Sequence, residues 1–178
     1  MRKISLLGVA ILAMAAMTVQ SVSAPTGNLK VPAHLLLELK VADKPVAVPS
    51  GKEVSIAAGT YTPAGITAQA AGAGARGKAE IWSIKSTGPF GKLAQIEVKE
   101  GSTTEIDAGP PFTVRTIVTK TKGPQGKVVS VGLAVTGKAG EQYAVNTLKK
   151  GLMIASAPQL QILDEKGRVL AQGSFEYG

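Results

Sequence analysis

Leu35-Leu36-Leu37-Glu38-Leu39-Lys40-Val41-Ala42 is the stretch that decides the fold class. Leu35, Leu37, Leu39 and Val41 alternate with Leu36, Glu38, Lys40 and Ala42, a period of two that sends each set to one face of a β-strand. The same period recurs downstream. Across 128–136, Val129, Val131, Leu133 and Val135 alternate with Ser130, Gly132 and Ala134, and that apolar face is expected to be core. Residues 80–85, 93–99 and 112–119 are further strand candidates. Between them lie turn signals such as Pro49-Ser50-Gly51, Gly88-Pro89, Glu100-Gly101-Ser102 and Gly123-Pro124-Gln125-Gly126. With 21 Gly and 10 Pro to interrupt helices, at most one short helix is expected, near 142–148.

The chain is therefore expected to be all-β, a β-sandwich built as one domain or as two small modules. Gly109-Pro110-Pro111 marks the boundary, because two prolines stiffen the chain and remove two ladder donors. This gives modules over 24–109 and 110–178, the second ending in a hairpin through Asp164-Glu165-Lys166-Gly167. Trp82, Phe175 and Tyr177 alternate with neighbours in a way that predicts core positions. Tyr61, Trp82 and Tyr143 would stack on sugar rings only if they shared one surface.

The first residues carry an address. Met1-Arg2-Lys3 precedes an uncharged apolar run over 4–19 and then small residues at Ser21, Ser23 and Ala24, the pattern of a cleaved secretory signal peptide over 1–23. The run is shorter than the roughly 20 residues that cross a bilayer as a helix, so no membrane span is expected. Cleavage after Ser23 avoids placing Pro25 just after the cut. Without a cysteine, neither lipid attachment nor a disulfide framework is available. The expected location is periplasmic or extracellular, with stability supplied by ordinary burial.

Charge is concentrated. Of the formal +8, Arg2 and Lys3 belong to the leader. Residues 109–151 hold Arg115, Lys120, Lys122, Lys127, Lys138, Lys149 and Lys150 against Glu141 alone, which is the whole remaining excess. Lys120, Lys122 and Lys127 bracket a Gly-Pro-Gln-Gly turn and are expected to project from one hairpin tip, with Lys149-Lys150 as a neighbouring tip. Clustered ammonium groups attract polyanions over roughly 10 Å at 0.1 M salt. Outside the cytoplasm the candidates are anionic polysaccharide, lipid head groups or another envelope polymer, and no nucleic acid partner is expected. Lysines near strand ends also serve a plainer purpose, keeping sheet edges from pairing with neighbours.

Catalytic and cofactor motifs are sparse. His34 is the single histidine, and with no Cys the zinc, copper and thiol chemistries lack ligands. Gly72-Ala73-Gly74-Ala75-Arg76-Gly77 spells a dinucleotide fingerprint, but a strand-like segment follows it where a helix is required, so it is read as a loop and no cofactor is expected. Glu97, Glu100, Glu105 and Asp107 are the acids from which a carboxylate pair could be drawn, as in glycosidases whose two acids stand about 5 Å apart. The alternative to a non-enzymatic binding protein is thus a secreted carbohydrate hydrolase.

Residues 30–108 carry Ala58-Gly59-Thr60-Tyr61 leading into a strand and Val98-Lys99-Glu100-Gly101-Ser102-Thr103 leading into a later one. In this they resemble the PEGA and carboxypeptidase-regulatory-like β-sandwich modules, although a Gly/Ala-rich stretch is inserted around 68–78. The rest looks generically immunoglobulin-like. The resemblance implies binding, spacing or scaffolding at a cell envelope through a ligand or a protein partner.

Overall fold

A computed structural model describes residues 24–73, 79–124 and 126–176. The expected leader, Tyr177 and most of the Gly72–Gly77 stretch lie outside the described residues. Among the described residues fifteen strands run in chain order: β1 Thr26–Lys30, β2 Leu35–Val41, β3 Lys44–Val48, β4 Glu53–Ala57, β5 Gly59–Ala73, β6 Ala79–Ser86, β7 Ile96–Val98 and β8 Thr103–Glu105. They continue with β9 Thr113–Gly123, β10 Gly126–Thr136, β11 Gln142–Tyr143, β12 Lys149–Lys150, β13 Met153–Ile154, β14 Gln159–Leu163 and β15 Val169–Ser174. The protein is all-β.

Two sheets close on each other. One has the order β4-β1-β8, with β1 antiparallel to β4 and parallel to β8. The other runs β13-β12-β6-β5-β2-β3, with β7 joining the start of β5. Their facing side chains make the core: Leu29 of β1, Leu35, Leu37 and Leu39 of β2, Ile66 of β5, and Ile96 and Val98 of β7 are buried. Each fully buried aliphatic side chain of this kind contributes about 1.5–3 kcal/mol. The period-two reading of Leu35–Val41 fails only at Val41, which is exposed at the strand end. Residues 93–99 are a strand only over Ile96–Val98, because Gly91–Leu93 winds into a 3₁₀ turn.

The β2–β3 connection is a two-residue loop in which Ala42 and Asp43 both have positive φ, +46° and +63°. Such loops match the twist of a hairpin and suit Asn or Gly at the first position, whereas Ala is strained there. Ala42→Asn is expected to raise stability by about 1 kcal/mol, read as a shift of the urea midpoint at unchanged slope.

After Pro110 the chain makes two hairpins and returns to the larger sheet between them. β9 and β10 pair over eleven consecutive residues without a shift, from Gly126↔Gly123 to Thr136↔Thr113. β14 and β15 pair with a bulge at Ile162/Leu163. Between the hairpins, β12 adds to β6, with Lys150 opposite Trp82. Asp164 closes the second turn by accepting from the Lys166 and Arg168 N–H groups and the Arg168 guanidinium. Those hydrogen bonds hold its carboxyl below the usual carboxylate range.

Two sequence expectations are corrected here. The Val129, Val131, Leu133, Val135 face is fully buried only at Val135: Val131 and Leu133 are half-buried along the cleft toward β14–β15, and Val129 is 49% exposed at its rim. Residues 142–148 form β11 and a 3₁₀ turn at Val145–Thr147 instead of a helix. The Gln142 N–H donates to the Pro89 carbonyl, the Ala144 N–H to the Lys85 carbonyl, and Tyr143 is drawn into the core.

A candidate anion-binding hairpin and its anchor

The β9–β10 hairpin is built from residues that favour strands: Thr113, Val114, Thr116, Ile117, Val118 and Thr119 on one side, Val128, Val129 and Val131 on the other. Gly126 has φ +128°, which a glycine adopts without strain. Because directly opposed residues share a face, the register sorts the charges. Lys122 stands opposite Lys127, and Lys120, two residues along, stands opposite Val129. All three lysines therefore lie on one face at the tip, and all three are exposed. With Thr121 and Gly126 they edge a shallow concavity of about 360 Å³.

Among the described residues no carboxylate pairs with Lys120, Lys122 or Lys127. Like charges set directly opposite on a ladder destabilise it. An anion bridging the Lys122–Lys127 pair would remove that repulsion.

The remaining basic candidates go elsewhere. Arg115 is opposite Ala134 and on the other face of the hairpin. Lys149 and Lys150 are in β12, against Ser83 and Trp82. Lys150 is ion-paired with Glu80 at 2.7 Å and stands 5.8 Å over the Trp82 ring. Lys138 pairs with Asp107 at 3.2 Å.

At its base the hairpin is fastened by a residue that the sequence did not single out. Glu141 has no solvent exposure. Its Oε1 accepts the Gly109 N–H at 2.6 Å and the Tyr143 O–H at 3.1 Å, and its Oε2 accepts the Ala139 N–H at 2.9 Å. The carboxylate thus joins the segment entering β9 to the turn leaving β10. Burial first, and the adjacent carboxylate second, push the Tyr143 phenol well above its ordinary value, so it stays a donor. The Tyr143 ring meets Phe112 edge-on, with centroids 5.0 Å apart.

The carboxylates considered for catalysis are engaged singly. Glu105 pairs with Lys30 at 2.7 Å, Asp107 with Lys138, and Glu97 lies 3.9 Å from Lys99. Glu100 and His34 are exposed. None of these acids lines the cleft of about 730 Å³ between β10 and the β14–β15 hairpin, whose walls include Val131, Leu133, Tyr143, Ile162 and Phe175. The aromatics do not share a surface either: Tyr61 packs beside Val54 and Ile56 and donates its hydroxyl to the Ala57 carbonyl, while Trp82 is half-buried beneath Lys150. The chain matches no family model, no curated protein and no solved structure.

Proposed function

We propose that this chain is an exported, non-enzymatic binding or structural protein of the cell envelope that contacts an anionic polymer through the tip of the β9–β10 hairpin. The observation that carries the reading is the cluster of Lys120, Lys122 and Lys127 on one face of that tip with no counter-ion among the described residues. A hairpin projecting three unpaired ammonium groups, anchored at its base by Glu141, is suited to a flexible, repetitive anion and not to a small ligand needing an enclosed pocket. The leader and the likeness of 30–108 to PEGA and carboxypeptidase-regulatory-like modules support an envelope setting. A protein partner at the same envelope is compatible with this role.

The test is retention on immobilised polygalacturonate across a salt series. The protein is expected to be held at low salt and released as salt rises, since exposed charges are screened within a Debye length. Changing Lys120, Lys122 and Lys127 to Gln should abolish retention, whereas changing Arg115 and Lys149 should weaken it only slightly. Equal retention of the two variants would reject the hairpin tip as the binding surface.

A further inference from the structure

Most sheet edges among the described residues are blunted in recognisable ways. β3 carries Lys44 and Pro45, β4 has five residues, β8 three and β13 two, and β14–β15 is interrupted by its bulge. The outer edge of β10 is taken by β11 at its base and faces the β14–β15 cleft above it. Along Thr113–Thr119 the outer edge of β9 has none of these devices, its lysines Lys120 and Lys122 standing at the hairpin tip. It runs eleven residues with no proline, no bulge and no strand beside it, and between Thr113 and Thr119 its only charge is Arg115. Val114, Ile117 and Val118 along it are 60%, 56% and 55% exposed. A long, unprotected edge of this kind is a template for another strand.

The strand that fits is a second copy of itself. We infer that two chains pair through the outer edges of β9, antiparallel about a two-fold axis at Thr116, to make a continuous four-stranded sheet β10-β9-β9-β10. Antiparallel pairing about Thr116 sets Val114 opposite the partner's Val118, and Val118 opposite the partner's Val114. It keeps Lys120 and Lys122 at opposite ends of the joint sheet. Parallel pairing would stack each lysine on its own copy, which like charges disfavour. Closed two-fold pairing also consumes the edge, so the assembly stops at two.

Pairing would cover Val114 and Val118 of each chain, 60% and 55% exposed in the single chain, with one another. The dimer would carry two basic tips facing away from each other. It stands independently of what those tips bind.

The experiment is the mass of the protein, purified after expression of the full chain, by sedimentation equilibrium up to about 0.1 mM, where a dimer of 1 µM Kd is about nine-tenths formed. Twice the chain mass is expected. Val114→Lys with Val118→Lys should give a single-chain mass with unchanged circular dichroism, which separates lost pairing from lost folding. Since the chain has no cysteine, single-cysteine variants report the register. Thr116→Cys should form a covalent dimer under mild oxidation, because a residue on the axis meets its own copy within disulfide range. Thr121→Cys and Leu170→Cys should not. A single-chain mass throughout, or cross-linking at Leu170→Cys and not at Thr116→Cys, would overturn the proposal.

Discussion

Glu141→Ala is expected to lower the stability of the protein by about 3 kcal/mol or more, since three buried donors lose their acceptor at about 1–3 kcal/mol each. The reason is the number of groups left behind. The N–H groups of Gly109 and Ala139 and the Tyr143 hydroxyl all converge on this carboxylate at 2.6 to 3.1 Å, at a position closed to bulk solvent. Glu141→Gln keeps the shape but turns one acceptor into a donor facing a donor, and should cost about 1–3 kcal/mol. Gly137 belongs to the same unit, because a Cβ there would run into the Glu141 carboxylate. The Gly137→Ala penalty should therefore be smaller in the Glu141→Ala background, a coupling that chemical denaturation of the four proteins would measure. Additive penalties would mean the two residues act separately.

Gly91→Ala is the second large effect, expected at about 3 kcal/mol or more. Gly91 sits at φ +56° where the 3₁₀ turn before β7 touches the loop carrying Glu141. The Lys92 N–H donates to the Ala139 carbonyl across this contact. An added methyl would overlap the Ala139 carbonyl oxygen and approach the Gly140 carbonyl carbon to 2.6 Å, and backbone cannot swing aside as a flexible side chain can. Gly101 is the matched control. Its φ is +64°, but a Cβ there meets nothing within 4 Å. Gly101→Ala should show only the left-handed backbone penalty of about 1 kcal/mol, so the difference between the two melts reports the contact itself.

These two sites show where sequence reading reached its limit. Alternation identified β2 correctly and gave the right faces of β10, because period two is a property of the strand backbone. It does not say whether anything covers a face. Leu35, Leu37 and Leu39 lie beneath a second sheet, whereas Val129 has the same pattern and is half exposed along an open cleft. The lysine tip was legible because a short turn with flanking lysines forces them together. Lys149-Lys150 does lead into a tight turn at Gly151-Leu152, but adjacency in sequence gives no hint that β6 would take the pair as a neighbouring strand. Glu141 left no pattern at all. It lies in a glycine-rich turn, where no periodicity distinguishes a buried acid from a solvated one, and its partners are mostly backbone groups.

The central claim is that Lys120, Lys122 and Lys127 are where an anionic polymer binds. Footprinting of every lysine by acetylation, read by mass spectrometry with and without polygalacturonate at low salt, tests it most directly. The account predicts protection concentrated on these three residues, with Lys40, Lys52 and Lys92 reacting as in the free protein. Uniform protection of all lysines, or protection centred on Lys149 and Lys85, would contradict it.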